Sequence, residues 1–72
     1  MKIATLGQVN SLSSRLREVG IDDDTAFLAA GRYLTGHGSA HDALNENYRD
    51  GGCSFVSLEK AINIIDGWVI RE

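Results

Sequence analysis

The sequence predicts an all-α protein, a compact bundle of four short helices. Apolar residues recur at spacings of three and four along four segments of the chain. Proline is absent, and most of the eight glycines fall between those segments, where they would separate the helices. The alternative is an α+β fold in which residues 2–5 and 68–71 form a small terminal two-stranded ribbon.

The first segment runs from about Thr5 to Val19. Its apolar residues fill one arc of a helix at about 100° per residue: Leu6, Val9, Leu12, Leu16 and Val19. Thr5 is expected to cap the start, and Gly20 to adopt the left-handed conformation after the end.

The second segment follows three aspartates, residues 22–24, any of which can cap a helix and favour its positive end. We expect Leu28 to lie off its inner face, which would carry Ala26, Phe27, Ala30, Tyr33 and Leu34. Gly31 falls in mid-helix, where glycine costs about 1 kcal/mol relative to alanine. Its presence predicts the close approach of a neighbouring helix.

The third segment begins at Ser39, which with Asp42 resembles a capping box, and ends at Gly51 and Gly52. Its expected inner face consists of Ala40, Ala43, Leu44 and Tyr48.

The fourth segment is predicted to begin at a Ser57 cap and to continue as helix through Gly67, although an extended tail from Trp68 is the alternative. Residues 53–56 form a further candidate extended stretch. The apolar face of this helix would carry Leu58, Ala61, Ile62, Ile65, Trp68 and Val69.

The chain has 72 residues, which predicts one small domain spanning residues 1–72. So short a chain buries a modest core, and Cys53, its only cysteine, cannot form an internal disulfide. A well-packed core or a second subunit must then supply stability. The N-terminal residues lack a signal-peptide core, and no stretch approaches the roughly 18 apolar residues of a membrane span. Together with a lone thiol, these features predict a cytoplasmic protein with no membrane partner.

Catalysis and metal binding are both disfavoured. His37 and His41 are four residues apart, as two metal ligands on one helix would be, but glycines flank His37 and Ser39 is expected to start a new helix. Cys53 could act as a nucleophile assisted by His41 and Asp42, but its surroundings match no nucleophile signature. We therefore expect no enzyme activity, no metal and no cofactor.

A DNA-binding regulator is the alternative function. The second and third helices would form a helix-turn-helix-like unit that reads DNA with residues 39–49. The outer face of that third helix carries Asp42, Asn45, Glu46 and Arg49. Two carboxylates facing phosphates, and a net charge of -3, make nucleic acid a disfavoured partner.

The leading prediction is a non-catalytic protein–protein interaction module, a small regulator or inhibitor that binds another protein, itself a homo-oligomer such as a homodimer. It rests on apolar residues that fall off the inner faces or near the chain end in a protein that needs more buried area. The predicted contact residues are Leu28, Tyr48, Ile64, Trp68, Val69 and Ile70.

Overall fold

The structure, a computed structural model, describes residues 4–36 and 39–68. Within these ranges the chain forms four helices and no strand, which confirms the predicted all-α bundle. The helices are α1 (Leu6–Glu18), α2 (Asp23–Leu34), α3 (Ala40–Arg49) and α4 (Phe55–Asp66). Of the alternative terminal ribbon, residues 2–5 and 68–71, the structure describes residues 4, 5 and 68, none of which is in a strand, and the rest lie outside the described residues.

The four helices run alternately up and down the bundle. At one end, the start of α2 meets the end of α3, where Asn47 Nδ2 donates to Asp22 Oδ1 at 3.4 Å. At the other end, the start of α3 meets the end of α4, where His41 Nε2 lies 2.8 Å from Asp66 Oδ1. Helix α2 packs against both α1 and α3, whereas α4 packs mainly against α3 and less extensively against α1.

Helix α1 begins and ends as the sequence predicts. Thr5 Oγ1 accepts from the Gln8 amide at 3.1 Å, and Gln8 Oε1 accepts from the Thr5 amide at 2.9 Å, which completes a capping box. Gly20 follows the helix with φ +108°, and the Ile21 amide donates back to the Leu16 carbonyl at 3.2 Å. This 6→1 hydrogen bond is that of a Schellman motif, and both side chains it joins are buried.

Helix α4 differs from its predicted position at both ends. Its N-cap is Ser54, whose Oγ accepts from the Ser57 amide at 3.1 Å, so the predicted Ser57 cap was wrong. Residues 55 and 56, part of the candidate extended stretch 53–56, instead form the first turn, because the earlier serine already satisfies a free amide of that turn. The helix ends at Asp66, where Gly67 is the C-cap, so the prediction that it continues into Trp68 was also wrong.

The capping box predicted for Ser39 and Asp42 is not formed. Ser39 occupies the N-cap position of α3, but its side chain makes no capping hydrogen bond. Its backbone, at φ -105° and ψ 11°, is not in the extended conformation from which an N-cap hydroxyl reaches the first-turn amides.

The helices enclose one hydrophobic core, in which leucine and alanine predominate. None of the five aromatic side chains is fully buried in it. Alanine faces let helices approach closely, which leaves little room for rings. The buried apolar residues are Val9, Leu12, Leu16, Ile21, Ala26, Ala29, Ala30, Leu34, Ala40, Ala43, Leu44, Leu58, Ala61 and Ile65.

The inner face of α2 is rotated around the helix relative to the prediction. Phe27, expected to be buried, is 50% exposed, and Ala29 takes a place in the core instead. Among residues 4–36 and 39–68, the predicted close approach of a neighbouring helix at Gly31 was wrong, because a Cβ built there meets no other element within 4 Å. Phe27 and Gly31 each lie 100° or more around the helix from Ala26, which is at the centre of the buried face.

Substituting the two glycines that end α1 and α3 should destabilise the fold to different degrees. Gly51 has φ +80° but open space around its Cβ position, so we expect Gly51→Ala to lower the free energy of unfolding by about 1 kcal/mol. Gly20→Ala should lower it further, because the new Cβ would lie 2.5 Å from Ser57 Oγ. Urea unfolding of both variants measures the difference, and a Gly20→Ala protein as stable as wild type would contradict the described turn.

Candidate protein-binding surfaces

Six large apolar side chains of the described residues are exposed, and they fall into two groups. Three belong to α1 and α2, and three belong to α3 and α4. The six, with their exposed fractions, are Leu6 (67%), Phe27 (50%), Leu28 (47%), Tyr48 (39%), Phe55 (56%) and Val56 (57%).

The second group, here called the aromatic surface, consists of Tyr48, Phe55 and Val56. The rings of Tyr48 and Phe55 make an edge-on contact, with centroids 5.8 Å apart and planes at 64°. Tyr48 lies in the last turn of α3 and the other two in the first turn of α4, so the short connection between these helices brings them together. The rings support each other while both remain accessible to a partner.

Sequence reasoning found Tyr48 but missed Phe55 and Val56. It placed them before a helix cap at Ser57, in the candidate extended stretch 53–56. The signal that could have placed them is Ser54, which also has the residue type of an N-cap. With that cap, Phe55 and Val56 open the helix at the end of the bundle, where few residues are available to cover them.

The predicted C-terminal contact residues are placed differently. Ile64 and Trp68 are half-buried and pack against the core, and the Trp68 carbonyl accepts a 3.0 Å hydrogen bond from the Tyr33 hydroxyl. Val69 and Ile70 lie outside the described residues. Of the six predicted contacts, Leu28 and Tyr48 are exposed, but they lie on different helices and belong to different groups.

A second surface, here called the outer face of α2, consists of Asp24, Phe27, Leu28, Gly31 and Arg32. These residues recur at spacings of three and four, which places them along the side of α2 that faces away from Ala26. Leu28 lies at the centre of this face, with an acidic residue one turn before it and a basic residue one turn after it.

The segment with His37 and His41 was predicted to be a turn between two helices rather than a metal site. His37 lies outside the described residues. His41 is half-exposed and pairs with Asp66, an interaction the sequence did not indicate. Such surface pairs contribute about 0–1 kcal/mol. In residues 4–36 and 39–68, no three His, Cys, Asp or Glu side chains lie close enough to hold a metal ion.

Cys53 is partly buried, and its surroundings disfavour the thiolate. Burial, and secondarily the negative charge of Asp22, raise the pKa of the Cys53 thiol above its ordinary value. Catalytic cysteines require the opposite shift. The structure also separates Cys53 from His41, its proposed helper, because His41 lies in the first turn of α3 and Cys53 follows the other end of this helix, which is about 15 Å long.

The outer face of α3, the candidate DNA-reading surface, exposes two carboxylates and one guanidinium. Asp42, Glu46 and Arg49 are exposed, and Arg49 Nε donates to the carbonyl of Asn45 at 3.4 Å on the same helix. DNA binding through residues 39–49 stays a prediction.

No protein-family model, curated protein or solved structure matches this chain. Among the helices of the described part, none has the length and apolar character needed to cross a bilayer. Function must therefore be inferred from the two surfaces and from the environments of Cys53 and His41.

Alkylation kinetics should report the environment of Cys53. Because its thiol pKa is raised, iodoacetamide should react more slowly with the folded protein than with the denatured protein at neutral pH. The pH midpoint of the rate should also be higher in the folded protein. Asp22→Asn should lower that midpoint by removing the repelling carboxylate, while Asp23→Asn, the matched control, should leave it unchanged. A folded-state midpoint below that of the denatured thiol would contradict this description.

Proposed function

We propose that this chain is a non-catalytic protein-binding module, a small cytoplasmic regulator or inhibitor that acts by contact, and that its partner binds the aromatic surface. The observation that carries the proposal is the contact between Tyr48 and Phe55, two rings fixed against each other and both exposed. Single exposed apolar residues are ordinary on any protein. A cluster of exposed apolar side chains from two helices is more typical of an interaction site.

The energetics favour use of these rings in binding. Aromatic side chains bury 150–250 Å² each when fully covered, and each Å² of apolar area removed from water contributes about 25 cal/mol. In the folded chain much of the Phe55 ring is still uncovered. Because Tyr48 and the helix backbone already orient it, little side-chain freedom would be lost when a partner covers it. Rigid aromatic anchors of this kind dominate the affinity of many protein interfaces.

The charges around the aromatic surface indicate the chemistry of the partner. Arg49 and Asp50 follow Tyr48 directly, and Glu59 and Lys60 follow Phe55 by about one turn. All four are exposed, and their formal charges cancel. A surface with an apolar centre and a balanced polar rim suits a folded protein with an apolar pocket for Phe55. It offers no excess of positive charge for nucleic acid.

Two further observations support a non-catalytic role. The raised pKa of the Cys53 thiol keeps it protonated and weakly nucleophilic at neutral pH. The helper groups considered for it, His41 and Asp42, lie at the start of α3, whereas Cys53 follows its end. A lone thiol also suits a reducing compartment, in keeping with the proposed cytoplasmic location.

Site-specific photocrosslinking identifies the partner and its contact point. A benzophenone side chain placed at Phe55 should yield a discrete adduct with another protein in the cells that make this chain. The same side chain at Leu6, which is apolar and at least as exposed, is the matched control and should not yield that adduct. Equal adducts from both positions, or none from Phe55, would contradict the proposal.

The purified partner then permits a quantitative test. Phe55→Ser should weaken binding at least about tenfold, because loss of an aromatic anchor costs roughly 2 kcal/mol or more. Leu6→Ser should change the affinity by no more than about twofold. Circular dichroism establishes that both variants remain folded. An unchanged affinity for Phe55→Ser would place the contact elsewhere and refute the assignment.

A further inference from the structure

We propose that two copies of this chain associate through the outer face of α2, with the two α2 helices antiparallel and a two-fold axis passing next to Leu28. This pairing goes beyond the proposed function and does not depend on the aromatic surface, which belongs to α3 and α4.

The first support is an apolar centre that stays exposed in the described part of the chain. Phe27 and Leu28 are each about half exposed on the side of α2 that faces away from the core. Gly31 lies one turn further along, and a Cβ at its position would meet no atom within 4 Å. The mid-helix glycine therefore brings no packing benefit within the described chain, but it leaves the backbone open to the close approach of a second helix.

The second support is the charge pattern of α2. The charges of two copies of this helix attract each other only when the helices are antiparallel. Asp24 lies four residues before Leu28, and Arg32 lies four residues after it. In an antiparallel pair centred on Leu28, Asp24 of one copy lies level with Arg32 of the other, and the symmetry forms this pair twice. A parallel pair would instead set like charges level with one another, which opposes association.

The charges that would form these pairs make few other polar contacts within the described residues. Asp24 is exposed and makes no ion pair or side-chain hydrogen bond with the rest of the described chain. Arg32 makes a single long hydrogen bond, from Nη1 to the Ser39 carbonyl at 3.4 Å. By contrast, the adjacent Asp23 is directed towards α1, where its Oδ1 lies 3.6 Å from Arg17 Nε. Of these two aspartates, Asp24 is therefore the one available to pair with a second copy.

A dimer of this kind follows from the small size of the chain. Pairing through α2 would add apolar contacts to a protein whose own core is limited. A single pair of helices buries an area at the low end of specific interfaces, so the dimer should dissociate on dilution. The pair would also present two aromatic surfaces, allowing bivalent binding of a partner that offers two sites.

Sedimentation equilibrium from about 1 µM to about 1 mM, the range of weak complexes, tests the pairing. Wild type should show a monomer–dimer equilibrium. Asp24→Lys and Arg32→Glu should each weaken it at least about tenfold, because each puts two like-charged pairs in the interface. An equimolar mixture of these two variants should form a mixed dimer of about wild-type affinity, because both pairs are then of opposite charge.

Three matched variants complete the test. Asp23→Lys reverses the same charge in the same helical turn but outside the outer face, so its dimer should match wild type. Gly31→Ala should raise the unfolding temperature of the monomer yet weaken the dimer, because the added methyl group separates the helices. Phe55→Ser should dimerise normally, which separates a failure of this pairing from a failure of the proposed partner site.

The pairing is overturned if wild type is monomeric over the whole range. It is also overturned if the single charge reversals leave the affinity of the dimer unchanged. The same holds if a mixture of the Asp24→Lys and Arg32→Glu chains binds no more tightly than either variant alone. Circular dichroism of each variant establishes folding, and the mixed-dimer result itself requires both chains to be folded.

Discussion

The close approach of α2 to α1 and α3 along alanine-lined faces is the constraint on which the bundle depends. Three fully buried alanines, Ala26, Ala29 and Ala30, line the inner face of α2. Small side chains there let the larger side chains of the facing helices, such as Leu12 and Leu44, fill the remaining space at high density. A chain this short has no second layer in which a bulky ring could be enclosed.

The positions of the aromatic residues follow from this packing. Tyr33 and Trp68 lie at the edge of the core, joined by a hydrogen bond from the Tyr33 hydroxyl. Phe27, Tyr48 and Phe55 remain on the surface. A core built mainly from alanine and leucine thus leaves three of the five rings exposed. The same packing accounts for both proposed surfaces, one centred on the Tyr48–Phe55 contact and one on the outer face of α2.

The sequence predicted those features that are decided by local chemistry. Four periodic segments became four helices, the Thr5 cap formed, and Gly20 adopted its left-handed conformation. Features decided by tertiary packing were not predictable. Phe27 has the spacing of a buried residue, but the buried face of α2 is rotated towards Ala29, and periodicity does not fix this rotation closely enough to place Phe27. Of the aromatic surface, only Tyr48 was predicted as a contact residue. Phe55 and Val56 were missed because Ser54 and Ser57 are equally suitable caps by residue type, and only the fold distinguishes them.

The most direct test of this account is the free energy of unfolding of Ala30→Leu, measured by urea denaturation at a concentration where self-association is negligible. Ala30 is fully buried on the inner face of α2, so leucine would add apolar volume inside the core. The account predicts a loss of about 1–3 kcal/mol from overpacking. A variant as stable as wild type, or more stable, would mean that the core has room for large side chains and would contradict the account.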